Sequence, residues 1–300
     1  MLAPGLDLVV LTYNEEVNLD QCLRSARGLV SNIFIVDSGS IDQTVEIAHQ
    51  HGAYVVTHEF TNQAEQFNWA LDNLPIQSEW VLRLDADEYL SPELQNEIAS
   101  TLAQLPPAVS GLYLNRRMMF MGRWIRYGGY YPIWLLRLFR RGKARSEQAE
   151  MDEHLVLLEG RSLKLHHDFI HDDHKGLSDW ARKHEAYAAR QARVLQRMQQ
   201  KSQTDGITPR LLGNQTERKR WLKQNLYGRS PLFFRAFIYF GYRYFLRLGF
   251  LDGVPGLIYH FLQGCWYSFY VDAKVYESRL SDDYQVVSKQ PAGKSVNAPH

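Results

Sequence analysis

The sequence predicts an α/β protein, Rossmann-like, with a mostly parallel sheet flanked by helices and a C-terminal helical region rich in aromatic and basic residues. Three observations carry that expectation. Short runs of Val, Ile and Leu alternate with helically spaced segments over the first third of the chain, polar clusters end those runs, and beyond residue 206 the composition turns aromatic and basic. Buried strands alternating with helices imply right-handed βαβ crossovers.

Leu6–Thr12, Asn32–Asp37, Ala53–Thr57 and Trp80–Asp85 read as buried strands. Between them, Val17–Gly28, Asp42–Gly52 and Gln63–Leu74 show helical spacing. Ser91-Pro92-Glu93 joins a hydroxyl cap to a first-turn proline and an acid, which predicts a helix from Pro92 to about Gln104. Pro106-Pro107 and Gly111 break the pattern. Strands are then expected over Gly111–Arg117, Trp134–Arg140 and Ser162–His167, and a polar helix over Ser178–Gln200. The polar stretch Lys201–Gly206 suits a hinge. It separates a domain of residues 1–205, with halves 1–110 and 111–205, from a region of residues 206–300.

A formal charge of +1 excludes a bulk electrostatic partner such as nucleic acid. That average hides an asymmetry: Pro209–Arg247 holds nine Lys or Arg against one acid, Glu217. Cys22 and Cys265 form no disulfide framework, which fits a reducing compartment. The apolar run Leu6–Leu11 is interrupted by Asp7 and leads into Asn14-Glu15-Glu16, so it reads as a strand and not a leader. A cytoplasmic protein is expected.

The strongest chemical signal is Asp85-Ala86-Asp87-Glu88 at a strand end, since parallel sheets bind ligands beyond the carboxyl ends of their strands. Two carboxylates one residue apart can hold a divalent cation between two phosphates and neutralise a leaving diphosphate. Thr12-Tyr13-Asn14-Glu15 ends the first strand, and Asp37-Ser38-Gly39-Ser40-Ile41-Asp42 ends the second, on the same edge. Gly39 permits close backbone approach, Ser40 or Asp42 can cap the next helix, and Asp37 can accept hydrogen bonds from a nucleoside. Each turn alone could be an ordinary capped turn; three converging on one edge favour a site. No glycine-rich fingerprint or Walker loop follows the first strand, which disfavours a dehydrogenase or a nucleotide hydrolase. The loop Arg126-Tyr127-Gly128-Gly129-Tyr130-Tyr131-Pro132 suits either a segment closing over the donor or a plain turn.

Together Leu8–Glu16, Asp37–Asp42 and Asp85–Glu88 resemble family-2 glycosyltransferases of the GT-A fold, in particular the lipopolysaccharide-core glucosyltransferase type and related polysaccharide enzymes. The resemblance covers Asp7 to Leu158 best. It implies an inverting, metal-dependent transfer from a nucleotide-sugar donor, a UDP-sugar by analogy. Thr12, Tyr13, Asn14, Glu15, Asp37, Ser38, Gly39 and Asp42 would then bind the donor. Asp85 and Ala86 would face its ribose or phosphate, Gly128 and Gly129 would close over it, and Asp87 would bind Mg²⁺ or Mn²⁺. Relatives carry a basic residue before an Asn-x-Ala-Leu segment; here Glu65–Leu71 has none. Inversion needs a base for the acceptor hydroxyl, and Asp152-Glu153-His154 supplies candidates. Glu153 aligns with the family's base, with Asp152 as the rival. A late histidine completes the metal shell in many relatives, which points to His167 or His166.

Leu232–Phe250, taken as one helix, gathers Arg235, Arg243 and Arg247 within about 120°. Such a helix suits an anionic membrane interface, the alternative being a packed helical hairpin. The combined expectation is a peripheral enzyme on the cytoplasmic face of the inner membrane. Its acceptor would be a lipid-linked glycan in polysaccharide or lipopolysaccharide synthesis. The rivals are a sugar-nucleotide nucleotidyltransferase and a non-catalytic scaffold.

Overall fold

The computed structural model describes residues 5–147, 154–201 and 231–288. They fall into two compact units, Met1–Ala181 with Gly241–His260, and Arg182–Phe240 with Phe261–His300.

The first unit opens with β1 (Leu6–Thr12), α1 (Leu19–Ala26), β2 (Asn32–Asp37), α2 (Thr44–Gln50), β3 (Tyr54–Thr57), α3 (Gln63–Asn73) and β4 (Trp80–Asp85). β5 (Glu88–Leu90), α4 (Pro92–Leu102), β6 (Val109–Phe120), β7 (Arg123–Trp124) and β8 (Trp134–Arg140) follow. They lead to β9 (Ala144–Ser146), β10 (Leu155–Leu157) and β11 (Arg161–His171). The main sheet runs β3-β2-β1-β4-β8-β6-β11-β5, with β7 paired to β6. Its first four strands are parallel. β8 joins antiparallel to β4, and β11 runs parallel to β6. This is the Rossmann-like half that the alternating pattern predicts, extended by a mixed half into the GT-A arrangement that the resemblance implies. β9 and β10 form a separate antiparallel pair.

Period-two alternation sorts the strand residues onto two cores. Leu8, Val10, Ile35, Leu82 and Leu84 face one side with Leu19, Leu23, Leu94 and Ile98. Val9, Phe34, Val36 and Val81 face the other with Phe67 and Phe139. Each such burial contributes about 1.5–3 kcal/mol, which fixes strand register and so fixes where the strand ends fall. Helix starts follow local chemistry: Asn62 Oδ1 accepts from Glu65 N at 2.8 Å, and Ser91 Oγ from Leu94 N at 3.2 Å, with Pro92 in the first turn.

Leu232–Phe250 is not one helix. α6 (Phe234–Gly241) gives way to a π-helical turn, Tyr242–Leu246, then to Leu248 at φ +60° and a 3₁₀ turn, Gly249–Asp252. α7 (Gly253–His260) completes the return to the first unit. The expected arginine sector therefore does not exist. Arg235, 7% exposed, lies in the second unit and donates to Asp272, whose Oδ2 also accepts from Phe233 N at 2.8 Å. Arg243, 8% exposed, lies in the first unit and donates to Gly128 O at 2.8 Å. Both guanidiniums are buried because each has an acceptor that offsets desolvation. Arg247 alone of the three is exposed.

The second unit joins α5 (Leu177–Lys201), from Arg182 on, to α6, a π-helical turn Phe261–Trp266 and α8 (Tyr267–Ser288). Polar bonds lace it, His184 Nε2 to Gln263 Nε2 at 2.8 Å and Tyr267 Oη to Gln191 Oε1 at 2.7 Å. The proposed hinge residues beyond Lys201 lie outside the described residues.

Candidate active site

The carboxyl ends of β1, β2 and β4 bring the predicted clusters together on one sheet edge. Thr12 Oγ1 donates to Asp37 Oδ1 at 2.8 Å, and Ser40 Oγ donates to the same atom at 2.5 Å. Asp37 Oδ2 accepts from Gly39 N at 3.0 Å and Ser40 N at 2.8 Å. All four acceptor positions of this buried carboxylate are thus taken. Asp37 builds the turn and, contrary to expectation, has no acceptor position left for a nucleoside. Gly39, at φ +87°, allows the turn.

The two turns are stitched across. Asn14 N donates to Ser40 Oγ at 2.8 Å, Asn14 Oδ1 accepts from Ile41 N, and Glu15 N donates to Thr44 Oγ1 at 2.7 Å. Asp42 accepts from Glu16 N and from Thr44 N, a turn bond just before α2, whose cap position is Gln43 and not Ser40 or Asp42. Tyr13 stands exposed beside this seam, and Ser38 Oγ accepts from Gln66 Nε2 at 3.2 Å. In α3, where no basic residue is present, Gln63 Nε2 reaches Asp85 Oδ1 at 3.4 Å.

Asp85 is held from two strands. Arg137 Nη2, from β8, donates to Asp85 Oδ2 at 2.9 Å and to Glu88 Oε1 at 2.5 Å, while Arg83 Nη2 lies 3.5 Å from Asp85 Oδ1. Burial pushes the Asp85 carboxyl up, but Arg137 and Arg83 outweigh it and hold the group well below the usual carboxylate range. Glu88 Oε2 accepts from Asp85 N at 3.0 Å and closes the turn around buried Ala86. Asp87 makes no such commitment. Its Oδ1 lies 3.5 Å from Nδ1 of His171, at the end of β11, and that buried nitrogen has no hydrogen-bond partner. Burial lowers the His171 pKa, yet the charges of Asp87 and Glu88 prevail and raise it.

An unpartnered imidazole nitrogen facing a carboxylate oxygen is a pair of donor atoms that one divalent cation can share. Among the described residues no group of three or more His, Cys, Asp and Glu could hold a metal. Two protein ligands suffice where substrate phosphates supply the rest. His167 is not the partner of Asp87: its Nδ1 lies 2.9 Å from Glu97 Oε2, and His166 takes Glu97 Oε1 at 2.8 Å. The side chain four residues further along β11 takes the position expected of His167.

Glu97 itself supports a prediction. Burial opposes ionisation, but the backbone N–H groups and rings of His166 and His167 prevail and draw it down from 4.5 to about 2. A depressed carboxyl contributes stability above pH 4.5 that is lost as pH falls toward about 2. In Glu97→Gln the acid limb of the stability curve should flatten in that window. The loss at neutral pH should stay under about 1 kcal/mol, because the histidines are well exposed and solvent screens the pair. Urea unfolding at a series of pH values reads both.

Lys175, which nothing in the sequence singles out, donates to Glu15 Oε1 at 2.5 Å from the loop after β11. Asn18 Nδ2 joins Glu15 to Asp173 at 2.9 and 3.0 Å, and His174 N returns to Asn18 Oδ1. Arg83 and Arg137 did leave a trace, as charged residues within otherwise apolar strands. Asp152 and Glu153 lie outside the described residues.

Gly128 and Gly129 pack against residues 241–260. Gly128 N donates to Arg247 O at 3.0 Å, and its carbonyl accepts from Arg243. A Cβ at Gly128 would fall 2.1 Å from the His260 ring, and one at Gly129 would lie 3.7 Å from the Arg247 guanidinium. These glycines, both at positive φ, serve the packing of 241–260 onto the loop.

Strand ends of a Rossmann-like half, an acidic Asp85–Glu88 turn and a histidine on the mixed half meet at one edge of a GT-A fold. The chain belongs to glycosyl transferase family 2, whose family model matches residues 7–158. An uncharacterized glycosyltransferase of Rickettsia felis is 38% identical over 89 residues, 30% of this chain and 31% of that one. One of Rickettsia bellii is 34% identical over 98 residues, 33% of each chain. The matched stretch thus spans about a third of these relatives' length. Glucosyl-3-phosphoglycerate synthase from Mycobacterium tuberculosis, solved with Mn²⁺, UDP and glucosyl-3-phosphoglycerate, is 20% identical. It covers 39% of this chain and 44% of that chain at a TM-score of 0.32, a likeness too partial to bear on substrate.

Proposed function

We propose that this protein is an inverting, metal-dependent glycosyltransferase that moves a sugar from a nucleotide-sugar donor, a UDP-sugar, onto a lipid-linked glycan at the cytoplasmic face of a membrane. One observation carries the reading: on the edge where β1, β2 and β4 end, Asp87 and the unpartnered Nδ1 of His171 face each other beside the buttressed Asp85. Asp87 and His171 would hold Mg²⁺ or Mn²⁺, which when bound supplies counter-charge to the leaving diphosphate. The Thr12–Glu15 and Asp37–Asp42 turns cradle the nucleoside with backbone and side-chain groups that their mutual hydrogen bonds leave free. Asp85, kept ionised by Arg137 and Arg83, offers its remaining acceptor capacity to the ribose. Glu153 or Asp152 takes the acceptor's proton. The basic sequence Arg210–Arg229, with six Lys or Arg against Glu217, supports an anionic membrane surface, and with it a role in polysaccharide or lipopolysaccharide synthesis.

The test is calorimetric titration of UDP with and without Mn²⁺, followed by a hydrolysis screen over sugar nucleotides. Metal-dependent binding, lost on EDTA and in Asp87→Ala and weakened in His171→Ala, is the expected result. Binding indifferent to metal would remove the cation, and no binding at all would favour the scaffold. Pyrophosphate release would point to a nucleotidyltransferase.

A further inference from the structure

Residues 242–257 belong to the same compact unit as the donor edge, and their polarity is inside out. Arg243 donates inward to Gly128 O and to Tyr130 Oη, each at 2.8 Å. Buried Asp252 accepts from Arg126 N at 3.1 Å and Tyr127 N at 3.0 Å, with His260 buried next to it. The outward face is left to Phe245, Leu246, Leu248, Phe250, Leu251 and Val254, with Leu246 76% and Val254 69% exposed. Arg247 is the one charged side chain among the exposed residues of this stretch.

A water-facing element buries its apolar groups and exposes its charges; here the charged groups serve as the internal fastening. Contiguous exposed apolar surface of this kind marks an interaction site. A folded protein partner would ordinarily be met by about one hydrogen bond per 100–200 Å² of interface, and these six side chains offer none. Among the described residues no helix is long and apolar enough to cross a membrane, so the face suits shallow insertion. The chain leading to it is strongly cationic, with Arg210, Arg218, Lys219, Arg220, Lys223 and Arg229 against Glu217, which complements an anionic surface.

We propose that the outward face of residues 242–257 inserts into the interface of an anionic phospholipid bilayer. Through Arg243, Asp252 and the Arg247 carbonyl, the insertion would hold the Arg126–Tyr131 loop at the lipid surface. The proposal deepens the reading of a membrane-borne acceptor and rests on it only for its biological setting, because its test does not run through sugar transfer. It also predicts a different salt response from a purely basic contact: salt should slow capture by vesicles yet fail to release protein already inserted.

The experiment places an environment-sensitive fluorophore on Leu246→Cys and, as control, on Gln104→Cys, an exposed position just after α4. The native thiols are buried, and burial pushes both pKa values up, so labelling goes to the introduced cysteine. With phosphatidylcholine–phosphatidylglycerol vesicles the probe at 246 should shift to the blue and be quenched by brominated acyl chains, while that at 104 should not. Phe245→Glu with Leu246→Glu should weaken vesicle partition at least about tenfold while leaving UDP binding and the far-ultraviolet spectrum unchanged. Sedimentation with vesicles but no quenching at 246 would overturn the inserted face and leave a basic membrane contact standing. Failure to sediment would overturn both. Lipid-independent self-association that the double variant abolishes would assign the face to a second copy of the chain and overturn insertion.

Discussion

Replacing Arg137 by Met is expected to lower stability by about 3–5 kcal/mol and to abolish sugar transfer. Arg137 is buried and joins two carboxylates that are themselves withdrawn from water, Asp85 at 2.9 Å and Glu88 at 2.5 Å. Met keeps much of the volume and the packing against Phe169, over whose ring the guanidinium lies at 5.5 Å. The loss therefore falls on charge rather than on a cavity. With its main counter-charge gone, Asp85 loses what holds its pKa below the normal range, and burial pushes the value up. A carboxyl depressed in the folded state adds stability above its unfolded pKa, so the deficit should be largest at neutral pH and shrink in acid. Adding Glu88→Gln to Arg137→Met removes one stranded charge and should restore part of the stability, a coupling that a double-mutant cycle in urea measures. Stability within about 1 kcal/mol of the parent would mean that Arg83 alone carries the carboxylates.

The Arg137 bridge also shows where the sequence was legible and where it was not. Strand runs such as Leu6–Thr12 and Trp80–Asp85 were readable because both faces of a parallel strand are buried, and composition alone reveals that. The acidic turn was readable because position at a strand end is a one-dimensional property. Partners were not. Arg83 shares β4 with Asp85, but Arg137 meets it across a sheet order, β4-β8, that no local pattern encodes. His171 and His167 share a strand, and only register against β5 and β6 decides which reaches Asp87 and which is captured by Glu97. The arginines of 235–247 misled for a related reason. Helical spacing of 100° per residue places them on one side only while the α-helix continues, and the π-helical turn Tyr242–Leu246 ends it before Arg243 and Arg247. Asp37 was expected to offer its carboxylate to a nucleoside, but that carboxylate is bonded within its own turn.

Glu153→Gln is expected to reduce turnover by roughly 10²–10⁴ while donor binding persists, and Asp152→Asn to reduce it less. Inversion requires the acceptor hydroxyl to lose its proton as it attacks from the face opposite the leaving diphosphate, so a base must stand across the sugar from the cation. Ser146, the last residue of β9, is fastened to Asn68 of α3 through Ser146 N at 3.0 Å and Ser146 O at 2.9 Å. Its Oγ accepts from Arg83 Nη1 at 3.3 Å, and Arg83 Nη2 reaches toward Asp85. On the return, Glu147 N donates to His154 O at 2.9 Å and Leu155 pairs with Ser146. Ser146, which precedes both acids in the sequence, is thus joined to Asp85 through Arg83. Gln and Asn keep shape and hydrogen bonding but cannot take the proton, so single-turnover rates with donor bound report the chemical step alone. A reversed ranking assigns the proton to Asp152. Turnover preserved in both variants would move the base off this segment, and the acceptor would then have to approach from another side of the edge.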